Sequence, residues 1–263
     1  EASGDLFVID ISSYGPHQSV SWSMCHEIAD QLTDPFVCAM ATCTMRMNGR
    51  VREFDITVGR ENLDPDFQEE NIGIDDDVVG CPRIILEIEF RHRNLRQTIT
   101  DIDSLGQNEK LRCFILVCIL PRQADGRFPL YCIVWRRPPR TLRRVPDTLA
   151  ASEIFSFGTA PLPDSVTAEL RSHFPEATLR DISLADTEVP KEWVVNRRRA
   201  AVPQRWARRA RRNDGFAIDL GSHEVYFHVP NAPPTPVGQP VVRLTLWSIV
   251  RATQQELPRY RAE

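Results

Sequence analysis

Cys81-Pro82-Arg83-Ile84-Ile85-Leu86-Glu87-Ile88-Glu89-Phe90-Arg91-His92-Arg93 is the stretch whose reading decides the fold. It has the composition of a buried strand, yet it carries two carboxylates. Alternate side chains of a strand point to opposite faces, so Ile84, Leu86, Ile88 and Phe90 share one face, and Ile85, Glu87 and Glu89 the other. Ionised carboxylates are costly to bury unless a cation or hydrogen-bond donors compensate them. Either that face meets solvent, or Glu87 and Glu89 help to build a divalent-metal site.

Upstream, residues 50–58 alternate as a strand, with Phe54, Ile56 and Val58 on one face and Glu53, Asp55 and Thr57 on the other. Asn48-Gly49 is a two-residue hairpin signal that joins this strand to the apolar run 36–45. Before it, Val20, Met24, Ile28 and Leu32 recur four apart, which predicts a helix over about 19–32 with Glu27 beside its apolar stripe. Residues 59–80 read as an acidic inserted loop. Downstream, the patterns predict a helix over 94–105, a central strand over 111–120 and another strand over 129–135.

Beyond residue 148 the patterns are shorter. Phe155-Ser156-Phe157-Gly158 is an extended piece, and 165–173 reads as a helix. Residues 216–220 and 224–229 read as a hairpin around Gly221-Ser222, and 241–255 as a terminal helix. The expected organisation is a core over residues 1–150 and a C-terminal extension over 151–263 packed on it, without independent status.

The 263 residues include 42% hydrophobic and 26% charged side chains, ordinary values for a globular chain. No apolar run is long enough to span a membrane as a helix, and Glu1-Ala2-Ser3-Gly4 opens the chain without a signal-peptide pattern, as a mature form or fragment would. The seven cysteines contain no C-x-x-C pair and sit mostly in apolar runs. That predicts reduced core thiols and an intracellular working site, cytoplasm or nucleus. The net charge of −4 is unevenly spread: residues 53–77 carry ten acids against Arg60, whereas 197–212 carry a run of arginines with Trp206 among them. A basic run with an aromatic suits nucleic acid, and a solvated helix face would look the same.

The order of elements puts Asp55 on the return strand of a hairpin and Glu87 and Glu89 on the next strand, directly ahead of a helix. With Phe54-Asp55-Ile56 as first acid and Ile84-Ile85-Leu86-Glu87-Ile88-Glu89 as half-motif, the first half of the chain resembles the PD-(D/E)XK phosphodiesterase superfamily, in its restriction-endonuclease-like branch. The resemblance implies an α/β fold: a restriction-endonuclease-like core with a mixed central sheet flanked by helices, plus C-terminal decorations. It implies a metal-dependent nuclease acting on DNA or RNA, with Asp55, Glu87 and Glu89 catalytic. Mg²⁺ or Mn²⁺ would be held by Asp55 and Glu87, with Glu89 and the first-helix Glu27 as further ligands. Arg91, Arg93 and Gln97 would contact substrate.

Glu89 stands where the family places lysine and cannot supply its charge; Arg91, Arg93, Arg96 or Lys110 would have to do so. The alternative implication is a catalytically inactive nuclease-fold module that binds nucleic acid or protein, for example an effector. Four further motifs are excluded. His223 and His228 are one residue too far apart for a zinc-protease helix, and no nucleophile-elbow, Walker-type or Rossmann glycine pattern occurs.

Overall fold

Among the described residues, seven strands hydrogen-bond in chain order into one mixed sheet. They are β1 (Val37–Met47), β2 (Arg50–Arg60), β3 (Ile84–Phe90), β4 (Cys113–Ile119), β5 (Pro129–Arg136), β6 (Ala150–Gly158) and β7 (Thr178–Asp181). The computed structural model of the chain describes residues 16–33, 37–47, 50–60, 82–90, 95–124, 126–139, 148–183, 217–227, 232–236 and 238–256. The acidic segment 61–80, Arg91 and Arg93, and the basic run 197–212 lie outside the described residues.

Neighbouring strands are antiparallel except β3–β4 and β6–β7, which are parallel. Parallel neighbours need a crossover, and each crossover carries a helix: α2 (Leu95–Leu105) between β3 and β4, and α3 (Asp164–His173) between β6 and β7. In α2, Leu95, Thr98, Ile102 and Leu105 are buried, a helical stripe laid on the sheet. Its partners in one core include Ile85, Phe114, Leu116, Ile133 and, from α3, Leu170.

The opposite face holds a second core. There α1 (Pro16–Ala29) buries Val20, Met24 and Ile28 against Ile56, Leu86, Ile115 and Val117. Beside α1 lie α5 (Leu246–Glu256) and a two-stranded sheet of β8 (Ala217–Leu220) and β9 (Val242–Thr245). β4 is covered on both faces, which is why all of its residues are buried and its sequence is continuously apolar. The fold is therefore a mixed α/β sheet flanked by helices, as the resemblance implied.

Several local expectations need correction. Within the hairpin expected over 216–229, the described residues 217–227 take another form. β8 pairs with β9, and Ser222–Val225 is a helical turn, α4. The buried Glu224 carboxylate accepts the Gly221 N–H at 2.7 Å, which closes that turn and prevents an extended return strand. Residues 241–255 are strand then helix, because Val242-Arg243-Leu244-Thr245 pairs with β8 before α5 begins. β7 has no sequence signature: as an outer strand with mostly exposed residues it lacks apolar alternation. The boundary expected at residue 150 falls on the first residue of β6, and the residues after it supply two strands of the central sheet. No described helix is long and apolar enough to cross a membrane.

Candidate active site

The hairpin β1–β2 loses its alternation at one point. Val37 and Ala39 face the α1 core, but Cys43 faces the α2 core; Ile56 and Val58 face the α1 core, but Phe54 faces the α2 core. Both strands change phase between the pairs Ala41–Ile56 and Cys43–Phe54, so the break falls on Thr42 and Asp55. Thr42 has φ +53°, a left-handed conformation rarely adopted by a β-branched residue. The expectation that Phe54 shares a face with Ile56 and Val58 is thus corrected, for a reason that lies in the backbone.

At the same level β2 and β3 part. Among the described residues their ladder contains Ile56–Leu86, Thr57–Ile85 and Val58–Ile84. Beyond it, the Asp55 side chain does what a strand carbonyl would have done: its Oδ2 accepts the Ile88 N–H at 2.7 Å. Ser21 of α1 donates to the Asp55 carbonyl at 3.2 Å, and His17 Nε2 lies 2.9 Å from Asp55 Oδ1. The hydrogen bond to Asp55, and its negative charge, raise the pKa of His17 above 6.5 against the opposing effect of burial.

The gap between the strands opens a cleft of about 500 Å³. Asp55, Glu87 and Glu89 all line it, together with His17, Arg52, Glu53 and Asp101. Glu87 and Glu89 follow Ile85 on the α2-facing side of β3 and pair in register with Leu116 and Cys118 of β4. Two residues apart on a strand, they stand about 7 Å apart along it. Tyr131 lies opposite Cys118; burial, then Cys118, Glu89 and Glu169, push its hydroxyl far above the ordinary range, so it stays neutral. From α2, Asp101 Oδ1 lies 3.4 Å from Arg52 Nη2 and accepts a 3.4 Å hydrogen bond from Gln97 Nε2.

Glu27 does not join these acids. Its Oε1 accepts the Thr245 N–H at 2.9 Å and the Thr245 hydroxyl at 2.7 Å, at the start of α5. One turn on, Gln31 exchanges hydrogen bonds with the Arg243 backbone. This edge of α1 therefore ties β9 and α5 to the first helix, a structural task. Of the expected substrate contacts, Gln97 is an exposed neighbour of Asp101, while Arg91 and Arg93 lie outside the described residues. Arg96 and Lys110 do not line the cleft, and the described cations that do are Arg52 and His17. Sequence patterns passed over both. Arg52 carried one signal, its place three residues before Asp55 on the same strand; His17 precedes the apolar stripe that marked the helix.

Oxygen donors from three carboxylates and no thiolate make a set that suits Mg²⁺ or Mn²⁺. The donor chemistry fits such an ion. As the side chains stand, no three His, Cys, Asp or Glu among the described residues are gathered closely enough to hold one. Asp55 in particular is engaged at both oxygens.

Fold and site together define a mixed α/β protein with an acid-lined cleft where two central strands separate. No protein-family model matches the chain, and no curated protein matches it. Among solved structures it is similar to a crystal structure from Anabaena variabilis described as a "putative nuclease belonging to DUF820". The identity is 14%, over 59% of this chain and 76% of that one, with a TM-score of 0.33. A likeness at that level supports no functional argument.

Proposed function

We propose that the cleft belongs to a divalent-metal-dependent phosphodiesterase that acts on nucleic acid. One observation carries the reading: Asp55, Glu87 and Glu89, from two strands that part, line the same cleft. Asp55 and Glu87 would hold the cation, with Glu89 beside them. When bound, such an ion polarises a phosphoryl oxygen and lowers the pKa of a coordinated water. The remaining work falls to the chain. The Ile88 amide orients the Asp55 carboxylate, and the Ser21 hydroxyl fixes its backbone. Glu89 can accept the proton of the attacking water, a role lysine cannot fill while charged. His17 must yield Oδ1 of Asp55 before that oxygen can serve as a ligand.

The test is cleavage of labelled single- and double-stranded DNA and RNA with Mg²⁺, Mn²⁺ or chelator. Cleavage should need the metal, vanish in Asp55→Ala and Glu87→Ala, and fall about 10²–10⁴-fold in Glu89→Gln. Cleavage that persists in chelator or in both alanine variants rules this reading out.

A second reading is a nuclease-fold module without catalysis. It is favoured by the commitment of both Asp55 oxygens and by the acid at position 89. Under that reading the protein binds nucleic acid in a salt-sensitive way with no cleavage, and Asp55→Ala and Glu87→Ala leave binding unchanged.

A further inference from the structure

We infer that Arg52 is a phosphate-binding residue of this cleft, parked on Asp101 until a nucleic-acid strand arrives. The inference rests on the phosphodiesterase reading and adds to it the residue that meets the substrate backbone. The described lining contains five carboxylates, Glu53, Asp55, Glu87, Glu89 and Asp101, against Arg52 and His17. A phosphodiester strand enters such a cleft only with cations to meet its charge. His17 already faces Asp55. Arg52 is the permanent cation of the described lining, and a guanidinium matches phosphate oxygens in a bidentate way.

The hold on Arg52 is loose. Its contact to Asp101 spans 3.4 Å, whereas charge-assisted hydrogen bonds usually measure about 2.7–2.9 Å. Elsewhere the chain shows what a closed pair looks like: Arg243 grips Asp219 through two contacts of 2.7 Å each. Asp101 also accepts from Gln97, so its loss of Arg52 would leave it with a partner. Arg52 lies three positions before Asp55 on β2, a run of about 10 Å. Arg52 therefore reaches a phosphate flanking the one at the carboxylates, and acts as a binding and positioning group for the strand.

The two members of the pair give opposite predictions. The experiment measures binding of a fluorescent oligonucleotide to the full chain in Ca²⁺, which supports binding without turnover, across a salt series. Arg52→Ala should weaken binding about 5–10-fold and reduce the salt slope by about 0.7–0.9, the loss of one phosphate contact. Asp101→Asn should tighten binding a few-fold, because the guanidinium is released. Thermal midpoints of both variants check that each folds. Equal weakening by both substitutions, or an unchanged salt slope in Arg52→Ala, identifies the pair as structural and overturns the inference. Failure of the unaltered chain to bind oligonucleotide in any divalent metal overturns the phosphodiesterase reading itself, and this inference with it.

Discussion

Asp55 is held from both sides, by the Ile88 amide at one oxygen and by His17 at the other. The His17 contact makes stability depend on pH in a definite direction. The folded-state pKa of His17 is raised above its ordinary 6.5. Its stabilising contribution is therefore fully present below about pH 6.5 and is lost as pH rises through the raised value. Denaturant titrations should show the advantage of the unaltered chain over His17→Gln shrinking across that window; an advantage that grows with pH would refute the assignment. Single residues were unevenly legible in the sequence. Glu87 and Glu89 declared themselves because two acids two apart in an apolar strand share a face. Glu27 had no such context: its partner Thr245 lies 218 positions away, so a local pattern could not reveal that one carboxylate oxygen was already engaged there.

At the level of elements, the cleft owes its shape to one irregularity. The phase change at Thr42 and Asp55 turns β1 and β2 out of register with their own alternation, and β2 leaves β3 just there. A β-branched residue in the left-handed region is strained, and glycine is not. Thr42→Gly should raise stability by roughly 0.5–1 kcal/mol, after the entropy that glycine adds to the unfolded chain. Cys43→Gly, at a buried neighbour, should lower it. Equilibrium unfolding of the two variants distinguishes a strained position from an ordinary one, and destabilisation by both would argue against strain at Thr42. This irregularity was illegible for a physical reason: no glycine or proline marks it, and period-2 reasoning assumes a backbone that stays extended. The strands β1 to β5 and the crossover helix α2 were legible, because each rests on local periodicity.

Across the whole molecule, the central sheet and the small β8–β9 sheet are joined by charge as well as by the α1-side core. Glu224, fully buried, pairs with Arg136 of β5, which also bonds the Asp219 carbonyl of β8 and reaches Glu153 of β6. Removing one partner of a buried pair costs about 3–5 kcal/mol when the other is left uncompensated, and because Arg136 keeps Glu153 and the Asp219 carbonyl the loss falls at the low end. Glu224→Ala should therefore lower the unfolding free energy by about 3 kcal/mol, and a loss below about 1 kcal/mol would show that the apolar contacts alone hold the second sheet. The C-terminal half was the less legible because its elements are short. Four-residue strands and a single helical turn offer too few positions for a period to emerge, and their partners are distant in the chain. The first half runs in longer elements, which bring Asp55, Glu87 and Glu89 to one cleft. Whether those acids act as ligands is measured most directly by Mn²⁺ titration of the full chain, followed by electron paramagnetic resonance, beside Glu87→Gln and Asp55→Asn. The predicted result is that the chain takes up Mn²⁺ and that either substitution abolishes or strongly weakens the uptake; a chain that leaves Mn²⁺ free, or variants that bind it as the unaltered chain does, would contradict the metal-site assignment.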